Sequence, residues 1–339
     1  MSFSRVLGQD QPKQILKKAL QNNSVSHAYL FYGPESTGKK LTAIEFAKAL
    51  NCKGSGPADN CGTCSSCRKI SQRIHPDFFL LEPAKSTPSA REVVIRIDSI
   101  RELQRKLSYL PYEGETKVAI IDSAETMNLQ AANTFLKTLE EPPSSTVLIL
   151  IAANPYQLLP TIVSRCQGIR FHALPSPVVQ TIVEEKMREA GENPGPEEME
   201  LRALRSLGRA GRALEEDVLK SGEQRIELLE LLGRLSFDRM DVVFQWARTQ
   251  AKQPGEVQMT LEELLNLLRD LAVLKTGPGS AEIYNRDLME HLIPLAAQKS
   301  LPGLIRMFDS VCRTRSALTA NANTQLSLEN MLMQFCEAT

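Results

Sequence analysis

Eight residues, Gly33-Pro34-Glu35-Ser36-Thr37-Gly38-Lys39-Lys40, limit what this chain can fold into more than any other feature. They follow an apolar run, Ala28 to Tyr32. They precede a helical pattern with apolar residues at Leu41, Ile44, Ala47 and Leu50. A Gly-rich turn between a strand and a helix is the setting of a phosphate loop, whose backbone N–H groups close around phosphate oxygens. Gly33 and Gly38 supply the turn. The helix N-terminus adds positive potential, and Lys39 is placed to reach the β- and γ-phosphates of ATP. The last position departs from the pattern. Lys40 stands where a Ser or Thr hydroxyl holds Mg²⁺, and an ammonium group cannot ligate a metal. The loop therefore reads as a nucleotide site that is inherited but no longer catalytic.

The rest of the first half fits that setting. Asp77 to Leu81, Lys117 to Asp122, Thr146 to Ala153 and Ile169 to Phe171 are short apolar runs of strand type. Helical patterns lie between them at Ile97 to Leu107, Asn128 to Leu139 and Pro160 to Cys166. This alternation predicts a largely parallel sheet with helices on both faces. The texture changes after Leu174. Pro175 and Pro177 mark a linker or a first helical turn. The pattern is helical from Val178 to Glu216, broken at Gly191 to Pro196, and stays helical to the end. The expected organisation is α/β plus all-α: residues 1–173 as the nucleotide-binding-like domain, 174–220 as a small helical domain, and 221–339 as a larger helical domain.

With 339 residues the chain can hold two or three domains. Lys plus Arg equals Asp plus Glu at 40 each, so no global charge drives it toward nucleic acid or membrane. The Met1 end has no apolar signal segment and no run of about 18 apolar residues occurs, so a cytoplasmic protein without a membrane span is expected.

Three further features carry chemistry. Val118-Ala119-Ile120-Ile121-Asp122 is an apolar strand delivering an aspartate, the form of a second metal-facing motif. A catalytic glutamate would follow that aspartate, but Ser123 does, and a hydroxyl is no general base near neutral pH. Glu125 lies two residues further on, with nothing in the sequence to fix its direction. Cys52, Cys61, Cys64 and Cys67 crowd into a stretch of small polar residues, including Gly54, Ser55, Gly56 and Gly62, that cannot build a core. Four thiolates at this spacing predict a closed, structural Zn²⁺ site, with an iron–sulfur cluster as the alternative. Arg165, in Ser164-Arg165-Cys166, closes a short helix where a guanidinium can reach across a subunit interface.

Together these motifs resemble the AAA+ subunits of bacterial clamp loaders. The likeness rests on Gly33 to Lys40, the cysteine knuckle, Ile121-Asp122, the string Asn133-Thr134-Phe135-Leu136-Lys137-Thr138-Leu139-Glu140-Glu141-Pro142-Pro143, Ser164-Arg165-Cys166, and Asn321 to Leu332 near the C-terminus. It covers nearly the whole chain. Lys40 and Ser123 depart from the motor subunits and resemble the delta-prime type of DNA polymerase III subunit. The resemblance implies a RecA-like P-loop domain with a zinc knuckle, a helical lid and a C-terminal helical collar. It implies a stator in a hetero-oligomer with gamma/tau and delta subunits, which loads a sliding clamp on primed DNA. Arg165 would then serve a neighbour's ATP site in trans. Arg209 or Arg212 would be the lid arginine, and Ala153, next to Asn154, the sensor position. Two other functions stay open on sequence alone: an ATP-hydrolysing motor subunit, and a zinc-containing nucleic-acid-binding protein with a vestigial loop.

Overall fold

The computed structural model describes residues 3–54, 59–85, 93–215, 222–277, 283–320 and 322–338. The expected boundary at 220/221, Ser55 and Gly56 of the cysteine loop, and Asn321 of the C-terminal string lie outside them. The chain divides into two compact units, Met1–Leu214 and Glu215–Thr339.

The first unit opens with α1 (Asp10–Gln21), β1 (Ala28–Tyr32), α2 (Lys39–Leu50), α3 (Ser65–Ser71) and β2 (Phe78–Leu81). A small antiparallel pair follows, β3 (Ala84–Lys85) and β4 (Val93–Val94), then α4 (Ile97–Leu107), β5 (Lys117–Ile121), α5 (Leu129–Glu140), β6 (Thr146–Ala152), α6 (Pro160–Val163) and β7 (Gln167–Arg170). The main sheet has the order β2-β5-β6-β1-β7 and every neighbouring pair is parallel. Side chains alternate across it as a pleated strand requires. Tyr29, Phe31, Val118, Ile120, Ile149 and Ile151 pack with Leu16, Phe46 and Ile70 from α1, α2 and α3 on one face. Leu30, Ala119, Ile121, Leu148 and Leu150 pack with Leu103, Phe135 and Ile162 from α4, α5 and α6 on the other. Both faces are covered, so the central strands are continuous apolar runs.

The last strand runs Gln167–Arg170, two residues ahead of the expected Ile169 to Phe171. It is an edge strand with only Ile169 buried, so the polar residues before Ile169 hid its start.

Helices α7 (Ser176–Ala190), α8 (Pro196–Arg205) and α9 (Ala210–Ala213) complete the first unit around Leu174, Val179, Val183, Met187 and Ala203. Gly191, at φ 83°, ends α7 where the sequence pattern breaks. Among its described residues the second unit is all helical: α10 (Gly222–Arg234), α11 (Met240–Ala251), α12 (Pro254–Thr276), α13 (Met289–Gln298), α14 (Leu301–Thr319) and α15 (Thr324–Ala338). Its core includes Leu264, Leu268, Leu292, Met307, Met331 and Phe335. No helix among the described residues is long and apolar enough to cross a membrane.

Candidate nucleotide cleft, cysteine site and exposed arginine

The phosphate loop joins β1 to α2 at the C-terminal end of the sheet. Gly33 must be glycine: a Cβ there would lie 2.1 Å from the Phe171 carbonyl oxygen. Gly38 caps α2 at φ 93°. Thr37 Oγ1 donates to the Pro34 carbonyl at 2.8 Å and tightens the loop. Lys39 is buried, and its Nζ donates to the carbonyls of Gly33 at 2.6 Å and Pro34 at 2.5 Å. Burial pulls its ammonium below the usual lysine range, against the carboxylates of Glu35, Glu125 and Asp122. A cleft of about 380 Å³ lies against the loop, lined among others by Ser36, Lys39, Lys40, Asp122, Ser123, Glu125 and Ala153.

The sheet register explains which carboxylates meet the loop. Leu81 pairs with Ile121, so Glu82 and Asp122 leave adjacent strand ends side by side. Lys40 reaches both. Its Nζ pairs with Asp122 Oδ2 at 2.9 Å and with Glu82. Arg73 closes on the other oxygen of Glu82 at 3.1 Å. Desolvation alone would lower the Lys40 pKa, but Glu82 and Asp122 outweigh it and raise it. The Lys40 hydrogen bond holds the Glu82 carboxyl below its usual range. Asp122 Oδ1 accepts from the Ser123 amide at 3.0 Å, so both its oxygens are engaged.

Ser123 sits in the left-handed region at φ 50° and lines the cleft. Glu125 lines it too. Its Oε1 accepts from the Ala153 amide at 2.8 Å, while its buried Oε2 has no hydrogen-bond partner. Asn154 is exposed and turned away to cap the amide of Tyr156 at 3.0 Å. The helical segment after Leu174 adds Gly211 to the lining, rather than Arg209 or Arg212. A Cβ at Gly211 would fall 2.7 Å from Ser36 Oγ, so this segment closes directly on the phosphate loop.

At the other end of α2, about 18 Å along its axis, the four cysteines come together. Their Sγ atoms all lie within 4.8 Å of one another. A tetrahedron with Zn–S near ~2.3 Å needs sulfurs ~3.8 Å apart, so small movements close the set around an ion. Backbone amides already point at the sulfurs. Cys61 N donates to Cys52 Sγ at 3.2 Å, Cys64 N to Cys61 Sγ at 3.3 Å, and Cys67 N to Cys64 Sγ at 3.5 Å. Such donors favour thiolate, and the Thr63 and Cys64 amides draw the Cys61 thiol down to about 6. Cys67 is fully buried, and burial pushes its thiol up. These four residues can hold a tetrahedral metal ion with no open position.

Arg165 follows α6 with its side chain 37% exposed. Its guanidinium pairs with Glu140 at 2.8 Å and donates to the Thr161 carbonyl at 3.0 Å. The two strings Leu139-Glu140-Glu141-Pro142 and Ser164-Arg165-Cys166 are thereby joined by one ion pair.

The structure places Gly38, Lys39, Lys40 and Asp122 around the cleft, Gly33 in the loop whose carbonyl holds Lys39, and Cys52, Cys61, Cys64 and Cys67 together at the knuckle. Arg165 stands apart from both. Sequence reasoning missed Glu82, and it named Glu140 without its pairing to Arg165. Glu82 carried a usable signal, since an acidic residue directly after an apolar strand repeats the Ile121-Asp122 arrangement.

Residues 8–175 match the family model described as DNA polymerase III, delta subunit, and residues 220–337 match the model of its C terminal part. The chain is similar to DNA polymerase III subunit delta' of Pseudomonas aeruginosa, 32% identical over 91% of this chain and 92% of that protein. It is 29% identical to subunit delta' of Bacillus subtilis over 96% of each. Subunit tau of Bacillus subtilis is 25% identical over 99% of this chain and 61% of its own length.

Proposed function

Because the chain belongs to the DNA polymerase III delta' family, we propose that it is the stator of a clamp loader, a subunit that does not turn over ATP itself but lends Arg165 to the ATP site of a neighbour. One observation carries this reading: the ammonium of Lys40 lies on Asp122, in the place where hydrolysis needs a metal. Without that metal only lysine ammonium groups face the β,γ-phosphates, with no divalent ion to bridge them, and Ser123 supplies no base. Glu125 faces the cleft with one oxygen tied to the Ala153 amide, and a base alone cannot replace the missing ion.

Arg165 then has the role its own cleft cannot use. A guanidinium carried to the interface and aimed at a neighbour's γ-phosphate stabilises transition-state charge, worth ~10³–10⁵ in rate at that site. The partners would be gamma/tau and delta subunits, with the sliding clamp and primed DNA engaged through the assembly. Residues 174–220 serve as the lid and 221–339 as the collar that holds the oligomer together. Cys52, Cys61, Cys64 and Cys67 would hold a structural Zn²⁺, whose binding supplies the folding energy this small polar loop lacks. The place of work is the cytoplasm.

The test begins with the isolated, zinc-loaded chain and then mixes it with gamma/tau and delta. No ATP turnover alone, together with entry into a stable hetero-oligomer, is the expected outcome. Turnover by the isolated chain that Lys39→Ala abolishes would make it a motor instead.

A further inference from the structure

The Mg²⁺ that a phosphate loop ordinarily holds does not fit this cleft, and the misfit has a definite form. Three side chains from separate segments converge at one point: Lys40 from the first turn of α2, Glu82 after β2 and Asp122 after β5. Pairing of Leu81 with Ile121, and the Asp122 amide donating to the Leu81 carbonyl at 2.9 Å, fix the two carboxylates side by side. Such a pair of oxygens at the mouth of a phosphate loop suits a hard divalent ion. Here the gap between them is taken by the Lys40 ammonium, tethered to the loop's own helix.

We propose that Lys40 is a built-in substitute for the divalent cation: it satisfies Asp122 and Glu82 permanently, so this cleft stays in one charge arrangement whether or not Mg²⁺ is present. Three consequences follow. A second cation cannot enter, because the carboxylates are occupied and the ammonium repels it at contact range. The phosphate loop and the strand ends stay clipped together without ligand, through Lys40, Glu82 and Arg73. The subunit therefore does not follow the metal–nucleotide cycle of its neighbours. This deepens the stator reading but does not depend on Arg165, and its readout is metal binding rather than hydrolysis, so either can fail alone.

The experiment uses the full chain with its cysteine site preloaded with Zn²⁺, and Mn²⁺ alone as the probe, followed by the EPR signal of the free ion. Wild type, Asp122→Asn, Lys40→Thr, Lys40→Gln, and each Lys40 variant combined with Asp122→Asn are titrated. Lys40→Thr restores a hydroxyl. Lys40→Gln keeps most of the side-chain length without charge, so a folding defect in one variant does not decide the matter. Wild type should bind no Mn²⁺ that Asp122→Asn removes. Both Lys40 variants should gain a site at least about tenfold tighter than any seen in wild type, and the added Asp122→Asn should remove it. The proposal is overturned if wild type already binds Mn²⁺ through Asp122, or if neither folded Lys40 variant gains a site.

Discussion

The pair between Arg165 and Glu140 sets a measurable limit on how firmly the arginine is held on its own subunit. The N–O distance is 2.8 Å, but the side chains are 37% and 50% exposed. Water and salt screen a pair this open, so Glu140 contributes no more than about 1 kcal/mol to holding Arg165. That energy is about a fivefold bias in population. On the role proposed for Arg165, removing it costs far more, since an arginine finger is worth ~10³–10⁵ at the site it serves. Glu140→Ala therefore releases Arg165 from a shallow resting position without damaging its function. In the reconstituted loader, clamp- and DNA-stimulated ATP hydrolysis should rise, by no more than about fivefold, and the rise should shrink at higher ionic strength. Arg165→Ala should instead lower it. The reasoning fails if Glu140→Ala lowers hydrolysis as much as Arg165→Ala, because Glu140 would then be needed to aim the guanidinium rather than to rest it.

Asp77 is buried and accepts the amides of Tyr112, Glu113 and Gly114 at 2.7, 2.8 and 2.7 Å. Burial would raise its carboxyl, but the three amides outweigh it and hold the pKa below the ordinary 3.8. Its contribution is thus complete above the unfolded value and is lost as pH falls through the lower folded one. Asp77→Asn should cost about 2–4 kcal/mol in denaturant unfolding at pH 7. The gap to wild type should narrow below about pH 4, and a gap unchanged down to pH 3 would contradict the assignment. Stripping metal with a chelator should raise amide exchange from Cys61 through Ser71 while β5 and β6 stay protected, since the knuckle lacks a core of its own and the sheet does not. Unchanged exchange across α3 after chelation would contradict a structural ion at these thiols.

Much of the fold was legible because a parallel sheet covered on both faces leaves a plain mark. Val118 to Ile121 and Val147 to Ala152 are unbroken apolar runs for that reason. The edge strand β7 is half exposed and left only Ile169 as a signal. The phosphate loop and the knuckle were legible because each is local: Gly33 to Lys40 and Cys52 to Cys67 carry their geometry in their spacing. The substitution of Lys40 for a hydroxyl was visible, but its consequence was not. That depended on β2 lying beside β5, which places Glu82, from 40 residues away in sequence, against Asp122. The Glu140–Arg165 pair was hidden because it depends on the end of α5 meeting the end of α6, 25 residues apart in sequence. Asp77 read as the first residue of a strand, but its carboxylate instead anchors a loop 35 to 37 residues later.

The most direct measurement compares Arg165→Ala with Lys39→Ala in this chain, inside the reconstituted loader, by ATP hydrolysis stimulated with clamp and primed DNA. A stator that serves its neighbour predicts a large loss for Arg165→Ala and little change for Lys39→Ala. The larger loss with Lys39→Ala would mean that this subunit hydrolyses ATP in its own cleft, and that the ammonium of Lys40 does not prevent it.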